Sequence, residues 1–252
     1  MFVDTHCHLD SPSLAGQLPQ VLTRAESVGV NRFIVPGVSP AGWDRLISLS
    51  AMDRRILAAP GIHPMHADQL HDETLAKLET LVPDAVAIGE IGLDYGYDIL
   101  REVQQPAFRE QLRLAVGLGI PVIIHCRRAF ADLLRILREE KVSTVGGVMH
   151  AFSGSPEIAA ECVSLALRIG IAGPVTYHNA VRPVEVVRRI PLEHLLLETD
   201  SPDLSPVPYR RCVNEPSFLV ETAKVIAIVK GVSLERVATV TSSNAKELFR
   251  LK

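Results

Sequence analysis

The chain has 252 residues, enough for one large α/β domain or two small ones. Its composition, 47% hydrophobic and 22% charged, excludes a disordered chain and allows a buried core. The formal net charge of −3 argues against a broad basic surface for non-specific nucleic-acid binding, but it does not exclude cleavage of a single phosphodiester.

The predicted elements begin with a short apolar run in MFVDTHCHLD, which reads as a strand end rather than a signal peptide. Later apolar runs are also strand-sized, so no transmembrane helix and no membrane association are expected. The cysteines lack C-x-x-C spacing, which is typical of reduced thiols; they are Cys7, Cys126, Cys162 and Cys212. We expect a cytoplasmic protein, and no obligate protein partner is evident.

Eight short runs rich in apolar residues alternate with segments whose apolar residues recur at helical spacing. The runs cover residues 2–8, 32–38, 56–64, 85–95, 120–126, 145–152, 168–175 and 194–202. Gly29, Gly119 and Gly170 each stand near the start of a run and predict helix ends there. The Pro-rich segment 200–217 is expected to be a long functional loop.

Alternating units of this kind predict parallel strands joined by right-handed helical connections. The runs are continuously apolar, so both faces of the sheet should be covered. The G-x-G-x-x-G dinucleotide signature and the G-x-x-x-x-G-K phosphate loop are both absent. The expected fold is therefore α/β, a (β/α)8 TIM barrel formed as a single domain over residues 1–252.

Histidines and acids gather where the predicted strands end. Five of the nine histidines stand at such ends, together with three acids; the set is His6, His8, His63, Glu90, Asp94, His125, His150 and Asp200. The carboxyl ends of barrel strands meet at one mouth, where active sites of this fold are built. Imidazole and carboxylate suit Zn²⁺, Mn²⁺ or similar ions, so the pattern predicts a metal site.

The first histidine pair illustrates the strand geometry. His6 and His8 are two residues apart, so in extended chain they point the same way while Cys7 points the other way. Cys7 and Cys126 are excluded as ligands on this basis. Four histidines and two acids exceed the needs of one tetrahedral ion, which favours two ions sharing a carboxylate.

These residues lie in segments that resemble the TatD family of metal-dependent hydrolases over nearly the whole chain. The segments are DTHCHLD, GEIGLDY, QQPAFREQLRLA, PVIIHCRRAFADLL, MHAFSG, IGIAGPVTY, LLLETDSPDL and TSSNAKELF. The resemblance implies a (β/α)8 barrel with a dinuclear metal centre and a deoxyribonuclease activity, often exonucleolytic. DNA is then the expected substrate.

Carried over by motif, the resemblance implies that one ion is held by His6 and His8 and the other by His125 and His150. Glu90 would bridge the two ions. Asp200 would bind the first ion and orient or deprotonate the attacking water, so Asp200 and Glu90 are the expected catalytic residues. The ions are expected to be Zn, Mg or Mn.

Further residues are candidates for substrate binding. His63 is expected to contact a phosphate or oxyanion, or else to support a ligand, and Asp94 to orient a ligand histidine. Arg127 either contacts substrate or pairs with an acid. Arg210 and Arg211 either clamp a phosphodiester or form a solvated surface pair.

Two enzymatic functions and one non-enzymatic function compete at this point. The first is a 3′-5′ deoxyribonuclease that uses metal-activated water, favoured by the resemblance. The second is hydrolysis of an ester, amide or lactone in a small molecule or an aminoacyl-tRNA, favoured by the acidic net charge. The third is a metal-containing binding protein, against which the complete set of ligands and a retained acid argue.

Overall fold

The computed structural model describes residues 1–251, in which strands alternate with helices. The strands are β1 (Phe2–Asp4), β2 (Val30–Pro36), β3 (Ile56–Ala59), β4 (Ile88–Asp94), β5 (Val122–Arg127), β6 (Gly147–Met149), β7 (Leu167–Ile171) and β8 (Leu195–Leu197). The α-helices are α1 (Pro12–Ala15), α2 (Leu18–Ser27), α3 (Trp43–Met52), α4 (Asp72–Leu81), α5 (Arg101–Leu118), α6 (Phe130–Glu139), α7 (Pro156–Ser164), α8 (Arg182–Arg189), α9 (Leu219–Lys230) and α10 (Leu234–Leu248). Within residues 1–251, each predicted apolar run contains or overlaps one strand.

The chain divides into two compact units. The first unit comprises Met1–Val35, Ala151–Ala160 and the described residues from Ile169 onward, and the second comprises Pro36–His150 and Glu161–Arg168. The single-domain extent expected from the sequence stays a prediction.

Strand pairing within each unit is parallel. In the first unit β1 pairs with β2, and β7 pairs with β8 in the register Ile171↔Leu197. In the second unit β5 pairs with both β4 and β6, in the registers Gly92↔His125 and Ile124↔Met149. Parallel pairing brings the carboxyl ends of neighbouring strands together, which is how each unit positions its polar side chains.

In the first unit, apolar strands are covered by amphipathic helices. Leu195, Leu196 and Leu197 of β8 are all buried, and α10 lies against the start of this strand. The buried Asn244 amide of α10 donates hydrogen bonds to the carbonyls of Leu192 and Leu195, at 2.9 and 2.8 Å. These bonds satisfy backbone carbonyls that would otherwise lose water on burial.

In the second unit, two buried glutamines of α5 fix the strand ends that carry the polar residues. The Gln104 side chain accepts a hydrogen bond from the Asp94 backbone N–H and donates one to the Asp94 carbonyl, both at 2.8 Å. Gln111 makes the same paired contact with the backbone of Ile62, at 2.7 and 3.1 Å. Helix α5 thereby holds the end of β4 and the segment that follows β3.

Two of the three predicted glycine helix ends are confirmed and one is wrong. Gly119 caps α5 with φ +67°, and Gly29 follows α2 with φ +85°. Gly170 instead lies inside β7, and Ala166 is the residue with positive φ after α7. A Cβ on Gly170 would lie 2.4 Å from Oε2 of Glu198, so the glycine leaves room for that carboxylate.

None of the helices formed by residues 1–251 combines the length and the hydropathy needed to span a bilayer.

Candidate metal centre

In the first unit, the segments that follow β1 and β8 run side by side. The Asp200 N–H donates to the His6 carbonyl at 2.8 Å, and the His8 N–H donates to the Ser201 carbonyl at 2.7 Å. Cys7 and Ser201 form an isolated parallel bridge between these bonds. Both histidines therefore follow the end of β1 rather than lying inside it, and the extended pairing places Asp200 beside them.

The side chains of this first cluster converge. Nε2 of His6 lies 3.3 Å from Nε2 of His8, and the two nitrogens lie 3.5 and 3.7 Å from Oδ1 of Asp200. The His6 side chain is fully buried, whereas those of His8 and Asp200 are each 17% exposed. One side of the cluster is thus enclosed by protein and the other reaches solvent.

Asp4 supports the backbone next to the first cluster, a role that the sequence pattern does not by itself indicate. Its carboxylate accepts hydrogen bonds from the Thr199 N–H at 3.0 Å, the Thr199 hydroxyl at 2.6 Å and the His6 N–H at 3.3 Å. Complete burial raises the pKa of Asp4 to about 8, although these hydrogen bonds oppose the shift. The sequence feature that could have indicated this role is an acid directly after two apolar residues, Phe2 and Val3. Asp4 joins the backbone that precedes His6 to the backbone that precedes Asp200.

In the second unit, Glu90 of β4 is the centre of a group of histidines. Its Oε1 lies 2.8 Å from Nδ1 of His125, 3.1 Å from Nε2 of His150 and 3.5 Å from Nε2 of His63. Glu90 lies within β4, His125 lies on β5 and His150 directly follows β6, so parallel pairing aligns all three. The glutamate is almost completely buried.

Asp94 makes the contact that was expected of it. Its Oδ2 lies 3.0 Å from Nε2 of His125, and the Gly96 N–H donates to its Oδ1 at 2.7 Å. Burial raises the pKa of Asp94, but the contacts with His125 and Gly96 lower it more, so it lies below its ordinary value. The same contact helps to raise the pKa of His125 against the effect of burial. The ionised Asp94 therefore favours a proton on Nε2 of His125, and Nδ1 of the same ring faces Glu90.

His63 has the opposite arrangement. Its Nδ1 accepts a hydrogen bond from the Met65 N–H at 3.1 Å, where His63 caps the 3₁₀ helix Pro64–Gln69. A neutral imidazole that accepts at Nδ1 carries its proton on Nε2. His63 thus presents an N–H donor, rather than a lone pair, toward Glu90, and this favours an anion contact over metal ligation.

Each unit contains residues with the chemistry of divalent-metal ligands whose ligand atoms all lie within 4.8 Å of one another; these are His6, His8 and Asp200 in the first unit, and His63, Glu90 and His125 in the second. Ligand atoms about 2.0–2.2 Å from one ion stand about 2.8–3.6 Å apart at octahedral or tetrahedral angles. In the first cluster, the separations of 3.3 and 3.5 Å lie within this range and the separation of 3.7 Å lies just above it. The 2.8 and 3.1 Å contacts of Glu90 in the second cluster lie in the lower part of this range. The donor sets suit Zn²⁺ or Mn²⁺ better than Ca²⁺ because they include imidazole.

The predicted arginines occupy different settings. Arg127 ends β5 with a half-exposed side chain, and its Nη1 lies 3.9 Å from Oδ2 of Asp94, so the predicted pairing with an acid is present. Arg210 places its guanidinium 3.8 Å from the centre of the Tyr177 ring, a cation–π contact that limits where the charge lies. Arg211 is exposed on the same loop.

The long loop after β8 is anchored to the first cluster. The Asn214 amide donates to the carbonyls of Thr199 and Asp203, at 2.8 and 2.6 Å. The Asp203 N–H in turn donates to the Asp200 carbonyl at 2.9 Å. The loop that carries Arg210 is therefore tied at both ends to the segment that carries Asp200.

Comparison with known proteins gives consistent matches along the chain. Residues 3–250 match the family described as TatD related DNase. The chain is 41% identical to the uncharacterized metal-dependent hydrolase YabD of Bacillus subtilis strain 168, over 100% of both chains. It is 36% identical to the 3′-5′ ssDNA/RNA exonuclease TatD of Edwardsiella piscicida, over 99% of each chain.

A solved structure gives the corresponding result for the fold. The crystal structure of YjjV, a TatD homologue from Escherichia coli K12, matches with a TM-score of 0.94 and 34% identity, covering 100% of this chain and 98% of that one. This similarity confirms the predicted fold class, in which parallel strands alternate with helices as in a (β/α)8 barrel. The chain therefore belongs to the TatD family of metal-dependent hydrolases.

Proposed function

We propose that this protein is a deoxyribonuclease that removes nucleotides from the 3′ end of single-stranded DNA. The observation that carries the proposal is the pair of clusters, each joining imidazole nitrogens to a carboxylate beyond or near strand ends. The name of the Edwardsiella piscicida relative, a 3′-5′ ssDNA/RNA exonuclease, supports a nucleic-acid substrate.

The proposal includes two divalent ions of Zn, Mg or Mn. Their ligands would be His6, His8, Glu90, His125, His150 and Asp200, with Glu90 shared between the ions, as the family resemblance implies. Bound divalent ions supply activation of water near neutral pH and stabilisation of charge on phosphoryl oxygens.

The surrounding side chains would accept a proton, orient a ligand histidine and contact a phosphoryl oxygen. Asp200 accepts the proton of the attacking water, because its carboxylate is partly exposed while its backbone is fixed by His6. Asp94 keeps the proton of His125 on Nε2, so that Nδ1 stays available as a ligand atom. His63 offers its Nε2 proton to a phosphoryl oxygen.

The loop arginines would bind phosphates beyond the scissile one. Arg210 is held on Tyr177 and still exposes its guanidinium, which suits a contact with a neighbouring phosphate. Arg211 is exposed beside it, and Arg127 offers a further charge at the end of β5.

The test uses single-stranded DNA labelled at either end and protein loaded with Mn²⁺ or Zn²⁺. The proposal expects mononucleotides released from the 3′ end by the wild type and none by Glu90→Gln, with the exposed Glu79→Gln as a matched control that keeps activity. Folding of each variant is checked by circular dichroism. A wild type that leaves DNA intact but hydrolyses esters, amides, lactones or aminoacyl-tRNA would overturn the proposal in favour of the second enzymatic function.

A further inference from the structure

The first unit contains an apolar cavity that the metal clusters do not use. Its volume is about 340 Å³, within the range of roughly 300–1,000 Å³ typical of small-molecule sites. Its apolar walls include Phe152, Ile171, Ala172, Pro174, Val175 and Leu204. Phe152, Ile171, Ala172 and Val175 are all nearly buried, so the walls are fixed by packing.

One wall of the cavity comes from the loop that carries Asp200. Ile171 ends β7 in register with Leu197 of β8, and the chain reaches Asp200 three residues later. Leu204 follows in the turn closed by the Asp203 N–H and the Asp200 carbonyl. The cavity therefore lies beside the carboxyl ends of β7 and β8, and the chain continues from β8 to Asp200 of the first cluster.

Close contact between the two loops gives the cavity its shape. A Cβ on Gly173 would lie 2.0 Å from the Leu204 carbonyl oxygen, so only glycine allows these backbones to approach. The Thr176 hydroxyl accepts a hydrogen bond from the Val207 N–H at 2.8 Å and fastens the same two loops further along. The walls are thus preformed rather than assembled by a ligand.

Two arginine side chains lie beside these apolar walls. Arg182 lines the cavity, and its Nη1 donates to the Ser153 carbonyl at 3.3 Å. Arg210 is held on Tyr177, which directly follows the short helix Gly173–Thr176 that forms part of the wall. Apolar walls with guanidinium groups beside them complement a flat ring that carries an anionic group.

We propose that this cavity receives the base of the 3′-terminal nucleotide, with Arg182 contacting a phosphate of the same strand. This inference rests on the proposed exonuclease function and names a subsite for it. Apart from Ser153 and Arg182, the side chains of the walls are apolar. The pocket therefore accepts all four bases and binds an abasic sugar more weakly. Stacking and burial of one base should favour a base-bearing end between about 5-fold and 150-fold.

The test compares oligonucleotides that end in a normal 3′ nucleotide with others that end in an abasic tetrahydrofuran residue. For the wild type, kcat/KM should favour the normal end by the factor given above. Ala172→Phe, which fills the cavity, and Leu204→Asp, which places a charge on its half-buried wall, should each bring that ratio close to one. Ala160→Phe makes the same change at an exposed site of the first unit and should keep the wild-type ratio.

A second readout separates the pocket from the reaction. Calorimetry in EDTA compares dAMP with 2-deoxyribose 5-phosphate on the wild type, on Leu204→Asp and on Ala160→Phe. A preference for dAMP that is lost only in Leu204→Asp supports the pocket, even if Ala172→Phe fails to fold. If the wild type shows this preference but cleaves no DNA, the exonuclease proposal fails and the pocket remains supported. Equal binding of both compounds to the wild type, or an unchanged ratio in both pocket variants, would overturn the inference.

Discussion

At the scale of single residues, Asp94 shows how one side chain can orient a neighbour that is proposed to bind an ion. It orients the ring of His125 and favours a proton on Nε2 through a 3.0 Å contact. Loss of such support lowers metal affinity by about 10- to 100-fold. We expect Asp94→Asn to weaken binding in the second cluster by that amount, measured by titration with Mn²⁺. The exposed Asp98→Asn should bind like the wild type, and equal affinity of Asp94→Asn would contradict the assigned role.

Gly92 is a second residue whose effect can be predicted. It has φ +146°, and a Cβ there would lie 2.0 Å from the His125 carbonyl oxygen. Because backbone rather than a flexible side chain blocks the space, Gly92→Ala should destabilise the fold by more than about 2 kcal/mol.

Gly117 provides the matched control for this change. It lies in α5 with open space where its Cβ would be, so Gly117→Ala should be neutral or stabilise by up to about 1 kcal/mol. Urea unfolding of both variants measures the difference. Similar midpoints for the two would show that Gly92 is not constrained by the backbone of His125.

Residues of the candidate site differed in how far the sequence could predict them. His6, His8, His125 and His150 could be chosen because each stands at or just beyond a strand end, where parallel pairing brings side chains together. The role of Asp4 could not, since its main partner, Thr199, lies 195 residues away. The donor state of His63 also depends on a contact with the Met65 N–H that no residue pattern indicates.

At the scale of elements, α2 is tied to the end of the long loop by one ion pair. The Arg24 guanidinium contacts Glu215 with both Nε and Nη2, the shortest contact being 2.6 Å. Burial raises the pKa of Glu215, but Arg24 and Ser217 lower it more, so it lies below its ordinary value. A lowered pKa contributes stability above the unfolded value, and that stability is lost as pH falls through the folded value.

Arg24→Met should therefore reduce the free energy of unfolding at pH 7 by on the order of 1–2 kcal/mol, a modest figure because Arg24 is half exposed. The gap from wild type should close as the pH falls below about 4.5, where Glu215 becomes protonated. Chemical unfolding at a series of pH values measures this gap, with the exposed Arg45→Met as control. A gap that stayed constant with pH would exclude the ion pair as its source.

The long loop itself gives a prediction about substrate binding. Replacing Arg210 and Arg211 by alanine should raise KM for DNA and flatten its salt dependence, by about 0.7 in the logarithmic slope per lost contact with single strands. A small chromogenic phosphodiester lacks flanking phosphates, so its hydrolysis should change little.

The control replaces Arg54 and Arg236 by alanine, which removes the same charge at the amino ends of strands rather than at the carboxyl ends. Arg54 precedes β3, and Arg236 lies near Glu193, which precedes β8. Steady-state kinetics at two salt concentrations compares the two double variants. Equal effects of both on DNA would point to net charge alone. Equal losses on DNA and on the small substrate would assign Arg210 and Arg211 to structural support.

Element boundaries were predicted less well than element order. The run 194–202 contains β8 only at Leu195–Leu197, because the polar residues that follow belong to a loop that continues beside the segment after β1. The same holds for run 2–8, in which β1 ends at Asp4. The residues beyond each strand resemble strand residues in composition, so the sequence does not show where regular strand pairing ends. The apolar cavity could not be foreseen either, since its walls come from three separate loops.

At the scale of the whole molecule, the alternation of apolar runs and amphipathic segments was sufficient to predict the fold class. Periodicity determines strand and helix type, and connection length requires parallel pairing. Preferred metal and substrate depend on distances between side chains and on loop shape, which composition does not encode. The cytoplasmic location and the lack of an obligate protein partner stay predictions of the sequence.

The number of divalent ions bound per chain tests the central claim most directly. Protein purified without chelator and reloaded by dialysis against Zn²⁺ or Mn²⁺ is measured by elemental analysis. The expected value approaches two for the wild type and for the control His194→Ala, which lies before β8, and falls in His8→Ala and in Glu90→Gln. Saturation of the wild type at one ion, or at none, would contradict the dinuclear centre.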